Sequence, residues 1–136
     1  AKINHITYLN TVSNPSFINY LKGSISADLC TGKKLNLDLL KKVDYLFISE
    51  EDMYYEIDDL TKYHTTVILH SERGSTVYDN KQTYTTNLDP LNNINVLGLG
   101  DRFAATVLNY MLKSKLHISD LVNRSHMDMT LWLERK

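Results

Sequence analysis

The sequence has no second cysteine, no excess of either charge and no apolar run long enough to cross a bilayer. Cys30 stands alone among 136 residues. It can form neither an intrachain disulfide nor a thiol cage for zinc, and it reads as a small buried hydrophobe. The 15 basic and 16 acidic residues nearly cancel, to a net charge of −1. They form no basic stripe, so nucleic acid is not an expected partner. The longest apolar stretches, such as residues 45–48, fall far short of the roughly 20 residues that a membrane helix needs. No signal-peptide pattern, repeat, linker or low-complexity tract is visible. A cytoplasmic location with no membrane partner is therefore expected. The first residue is Ala1 rather than methionine, so a fragment or a processed product is also expected.

What is present suits one domain over residues 1–136. A hydrophobic share of 43% is enough for an ordinary core. Short apolar runs alternate with segments of helical period. Residues 3–9 suit a strand. Asn14-Pro15 then offers a helix start, with Phe17, Ile18 and Leu21 recurring until Gly23. A second strand is expected at 24–28, and Leu39, Leu40 and Val43 mark a helix after it. Residues 45–48 form a continuous apolar run, as in a strand covered on both faces. In 51–63, Met53, Ile57 and Leu60 would share one helical face, and 65–69 is β-branched. This alternation predicts a mainly parallel sheet with right-handed crossovers, an α/β class.

The pattern then changes. Residues 75–78 and 82–86 alternate in polarity around Asp79-Asn80-Lys81, which predicts a late antiparallel hairpin. After a polar loop with Pro90, Gly98-Leu99-Gly100 opens a helix that carries Ala104, Val107, Leu108 and Met111 on one face. A last helix aligns Ile118, Leu121, Val122, Ser125, Met129 and Trp132.

The sharpest local signal is Asn95-Val96-Leu97-Gly98-Leu99-Gly100-Asp101-Arg102-Phe103. Two glycines one residue apart let backbone approach an anion without Cβ interference. The free N–H groups of the first helical turn, at the positive end of its dipole, suit a phosphate. An aspartate in that turn could take a proton from an attacking hydroxyl. The Walker pattern fails, because no Gly-Lys-Ser/Thr follows. A dinucleotide fingerprint fails too, because Phe103 stands where the third glycine belongs. On spacing alone, Gly98 and Gly100 could equally form a tight loop with Asp101 as a helix cap.

The stretch Gly98-Leu99-Gly100-Asp101-Arg102-Phe103-Ala104-Ala105 resembles the C-terminal signature of ribokinase-type (pfkB family) carbohydrate kinases, usually Asp-Thr-Thr-Gly-Ala-Gly-Asp followed by a residue and Phe. The order of elements from about residue 24 onward is similar as well. The resemblance implies a ribokinase-like α/β fold, ATP and Mg2+ as cofactors, and phosphorylation of a hydroxyl on a sugar-like small molecule. It makes Asp101 the catalytic base and the backbone of Gly98, Leu99 and Gly100 the anion hole. The family's metal-linked Asn-x-x-Glu aligns with Ser49-Glu50-Glu51-Asp52, so Ser49 and Asp52 are the candidate metal residues. Its Thr-x-Gly-x-x-Gly turn aligns with Leu69-His70-Ser71-Glu72-Arg73-Gly74, which makes Arg73 and Gly74 candidates for nucleotide contact.

Several positions depart from the pattern. Asn95, Val96 and Leu97 replace the aspartate and threonines of the signature, and only the last glycine of the turn survives. Nothing before Ser24 resembles the half of these kinases that holds the sugar. The chain would then be a fragment, a homo-oligomer, a subunit completed by an N-terminal half, or a non-catalytic nucleotide-binding module.

Other residues carry weaker signals. His126 lies near the family's adenine position, or is simply a helix histidine. His70 ends a strand at the sheet's carboxyl edge, where ligands of α/β proteins gather. The group Glu50-Glu51-Asp52 could hold magnesium or complement a helix dipole. His5, His64 and His117 show no metal spacing. The nine tyrosines are scattered, as packing residues are, and Trp132 reads as core.

Overall fold

The computed structural model describes residues 2–71, 73–79, 82–87 and 99–134. Six strands form one sheet in the order β1-β2-β3-β4-β5-β6. They are β1 (Ile3–Ile6), β2 (Ser24–Asp28), β3 (Tyr45–Ser49), β4 (Thr66–Ser71), β5 (Gly74–Asp79) and β6 (Gln82–Asn87). The pairs from β1 to β4 are parallel. The pairs β4–β5 and β5–β6 are antiparallel, which makes the predicted hairpin the far edge of the sheet. Its turn residues Asn80 and Lys81, and the loop with Pro90, lie outside the described residues.

Strand order decides where the layers go. When sequential parallel strands are also spatial neighbours, crossovers of one hand must all fall on one face of the sheet. Ile18, Leu40 and Leu60, from three successive crossovers, accordingly share one cluster with Ile25, Leu46 and Val67 of the strands. The opposite face is left for the C-terminal helices α2 (Leu99–Lys113) and α3 (Ile118–Glu134). There Ala104, Val107, Ile118 and Val122 pack on Phe47, Ile68 and Val77. The alternation along β3 follows directly: Leu46 and Ile48 face the crossovers, and Phe47 faces the helices. The faces expected of the two C-terminal helices are those observed, with Trp132 outside the described side chains.

The crossovers themselves correct the expectation of α-helices. Pro15–Tyr20 and Leu37–Lys42 are six-residue 3-10 segments. Asn14 caps the first through Ser16 N at 3.2 Å. It ends before Gly23, whose φ of +93° and close approach to Lys2 O leave no room for a Cβ. The segment 51–63 is not one helix either. It splits into a 3-10 turn, Glu50–Asp52, and a single α-turn α1, Ile57–Leu60. The reason is a competing period: Met53, Tyr55 and Ile57 all pack on the same core. That spacing of two belongs to extended chain. Tyr55 fixes it further by accepting the Leu35 amide at 2.9 Å.

Candidate active-site cleft

The carboxyl ends of β2, β3 and β4 converge on a cleft of about 300 Å3. Asp28 ends β2 and Ser49 ends β3, while His70 is the last residue but one of β4. Parallel pairing sets Ser49 beside His70. Ala104 of α2 lines the same cleft. This is where ligands of open α/β sheets bind.

Asp28 is held in place from the N-terminal side. Its carboxylate accepts the Tyr8 amide at 2.6 Å and lies 3.3 Å from His5 Nε2. Tyr8 reaches it from a left-handed conformation, φ 59°, which is uncommon for a residue with a side chain. His5 Nδ1 in turn meets Ser26 Oγ at 2.8 Å. Cys30 corrects the expectation of a buried thiol: it is half-buried and on the cleft wall. Asn10 clips this loop by accepting the Cys30 amide at 2.7 Å and donating to the Cys30 and Lys33 carbonyls, each at 2.8 Å.

Ser49 and Asp52 both line the cleft, so the structure brings the two candidate metal residues together. Ser49 makes no side-chain cap to the 3-10 turn that follows it. Asp52 Oδ2 accepts Thr31 Oγ1 at 3.3 Å, while Oδ1 is buried without a partner. An unpartnered carboxylate oxygen is costly in isolation and fits a hard cation. Among the described residues no three ligating side chains gather at one point. The donor set therefore suits Mg2+, which keeps most of its waters and takes one or two carboxylates. It does not suit a closed cage.

A stack of rings ties the start of α2 to the sheet. Phe103 stacks on His126 at 4.4 Å, meets His70 at 5.3 Å and Phe47 at 6.3 Å. His126, 5% exposed, has its Nε2 2.7 Å from Ser75 Oγ of β5. Burial lowers the His126 pKa to about 4. Burial also brings His70 to about 4, helped by the neighbouring His126 and opposed by Asp28. Both imidazoles are neutral at pH 7.

The remaining predicted residues are dispersed. Leu99, Gly100 and Asp101 occupy the first turn of α2, and Gly98, with Asn95, Val96 and Leu97, lies outside the described residues. Arg73 is exposed in the β4–β5 turn, its amide bonded to Ser71 Oγ at 3.1 Å. Gly74 opens β5 at φ 124°, a conformation reserved for glycine. Neither lines the cleft, and neither does His126. Asp28, Tyr8 and Thr31 do line it and carried no sequence signal, although Asp28 is the carboxyl end of a predicted strand. Among the described residues the cleft wall holds the carboxylates of Asp28, Glu51 and Asp52 and no Lys or Arg.

No protein-family model matches the sequence, and no curated protein matches it. Solved structures do match in fold. A ribokinase from Thermotoga maritima superposes with a TM-score of 0.72 at 12% identity, over 90% of this chain and 46% of its own. A fructokinase from Vibrio cholerae, solved with fructose, ADP and calcium, gives 0.70 at 13% identity, over 90% and 51%. A nucleoside kinase from Methanocaldococcus jannaschii, described as an archaeal member of the ribokinase family, gives 0.64 at 18% identity, over 88% and 45%. The chain thus spans about half the length of the kinases it matches. It has the ribokinase-like α/β fold.

Proposed function

We propose that this chain is the nucleotide-binding, catalytic half of a kinase that transfers the γ-phosphoryl group of ATP to a hydroxyl of a sugar or sugar-like metabolite. The observation that carries the proposal is the placement of α2. Ala104 in its second turn lines a cleft at the carboxyl ends of parallel strands, and Leu99, Gly100 and Asp101 stand in the turn before it. The unpaired N–H groups of that turn, with those of Gly98, would take the charge on the phosphoryl oxygens. Asp101 would remove the proton of the acceptor hydroxyl. The hydroxyl oxygen then bonds to the γ-phosphorus as the bond from that phosphorus to the bridging oxygen breaks, and ADP leaves with the electron pair.

Three carboxylates, with no lysine or arginine among the described residues of the wall, would repel a bare polyphosphate. Ser49 and Asp52 are the residues that would hold Mg2+. When bound, the ion supplies neutralisation of phosphate charge.

Asp101→Asn tests the base. Asp101 is the third residue of α2, where Asn loses only a charge–dipole interaction of about 0.3–1 kcal/mol, so the variant should melt close to the wild type. Phosphoryl transfer, measured with the full-length or complemented protein and a panel of sugars and nucleosides, should fall by roughly two to four orders of magnitude. Normal turnover in a less stable variant would assign Asp101 to structure. A non-catalytic nucleotide-binding role is favoured by one observation. Leu69, at the position of the family's threonine, packs into the crossover core and offers no hydroxyl. Wild-type protein that binds Mg-ATP but turns over no member of the panel would select that role.

A further inference from the structure

We propose that His70 is a specificity-determining contact for a neutral, hydroxyl-bearing compound in the cleft. This rests on the phosphoryl-transfer function proposed above and names the side chain that would read its acceptor. Along β4, Val67 and Leu69 face the crossover core, and Ile68 faces the helices. Period two turns His70 to the helix side as well, where it joins the cleft wall. Pairing sets it between Ser49 of β3 and Ser75 of β5. Its ring packs at 5.3 Å and 53° to Phe103, and Phe103 is itself fixed by His126 and Phe47. The imidazole is therefore oriented before any ligand arrives.

What distinguishes His70 is its unused hydrogen-bonding capacity. His126, buried on the same face, is bonded to Ser75 at 2.7 Å. Among the described residues no hydrogen bond to either nitrogen of His70 is seen, and the residue is half-buried on the cleft wall. An imidazole, with an ordinary pKa of about 6.5, is mainly neutral at pH 7 and then offers one N–H donor and one lone pair. A hydroxyl, which both accepts and donates, matches that pair. A phosphate oxygen only accepts, and here it would lie among Asp28, Glu51 and Asp52 with no lysine or arginine among the described residues of the wall. The fit is to a polyhydroxylated neutral molecule such as a free sugar or a nucleoside ribose.

The test follows the isotope-labelled imidazole nitrogens of His70 by NMR. Ribose, fructose and inosine serve as neutral hydroxyl probes, and Mg-ADP as the anionic one. His70→Phe keeps a flat ring against Phe103 and removes both nitrogens, while His70→Gln retains a donor and an acceptor. At least one neutral probe should shift the His70 nitrogens saturably. His70→Phe should weaken that probe about tenfold, the worth of roughly one net hydrogen bond. His70→Gln should recover part of the loss, and Mg-ADP affinity should stay unchanged in both variants. The proposal is overturned if no neutral probe moves the ring nitrogens, if only Mg-ADP does, or if His70→Phe binds the neutral probe like the wild type. If neither variant folds, the wild-type titration alone decides. The phosphoryl-transfer function fails separately, when Mg-ADP leaves the backbone amides of Leu99 and Gly100 unmoved.

Discussion

The two faces of the sheet are built for different purposes. The crossover face is dry and aliphatic: Leu9, Leu40, Leu46, Leu60 and Val67 are fully buried, and its polar insertions are tied off locally. Thr65, for example, donates to the carbonyls of Leu40 and Val43 at 3.0 and 2.9 Å. The helix face mixes Phe47, Ile68 and Val77 with Ser75, His126 and His70, and it opens at one end into a cleft rimmed by carboxylates. Burying polar groups costs free energy unless each finds a partner. A fold that needed only stability would make both faces like the first. The second face gives up dry packing where the carboxyl ends of the strands meet α2 at Ala104.

Acid separates the faces most strongly. His70 and His126 are held near pKa 4 when folded, against about 6.5 in an unfolded chain. Between those values the unfolded state binds protons that the folded state refuses, so stability falls as pH drops from about 6.5 to about 4. Above pH 7 the two groups contribute no slope. The limit is about 3 kcal/mol for each group. Urea unfolding across this range should show the slope, and replacing both histidines with Phe should flatten it. An unchanged slope in that double variant would show that other groups carry it.

The crossover face should respond to cavities instead. Leu46→Ala removes a fully buried side chain from its centre and should cost roughly 2–5 kcal/mol. That loss should be independent of pH, with affinity for Mg-ADP unchanged in the folded fraction. A Leu46→Ala variant that stays stable yet loses nucleotide affinity would contradict the division of labour between the faces.

The legible parts of the sequence were those where one local pattern ruled. The strand at 24–28 coincides with β2 because apolar Ile25 and Ala27 alternate with Ser24, Ser26 and Asp28. Helices α2 and α3 are long enough for a 3.6-residue period to be unambiguous. The crossovers misled because Met53, Ile57 and Leu60 fit a helical template while Tyr55 supplied a period of two, and packing chose the latter. In the candidate site, the proximity of Ser49 to His70 is a matter of strand register. The places of Asp28 and Cys30 on one wall depend on a loop clipped by Asn10 and a left-handed Tyr8. None of these is local in sequence. Nor is the pairing of His126 with Ser75, 51 residues apart, which takes that histidine to the core instead of the cleft.

The central claim is that the first turn of α2 receives nucleotide phosphate. The most direct measurement is a backbone-amide titration of the folded chain with Mg-ADP, with adenosine as a control that lacks phosphate. Leu99, Gly100 and Asp101 amides should shift saturably with Mg-ADP and stay unmoved by adenosine, because phosphate is what the unpaired N–H groups bind. Equal responses to both ligands, or no response at Gly100 while the chain remains folded, would contradict the account.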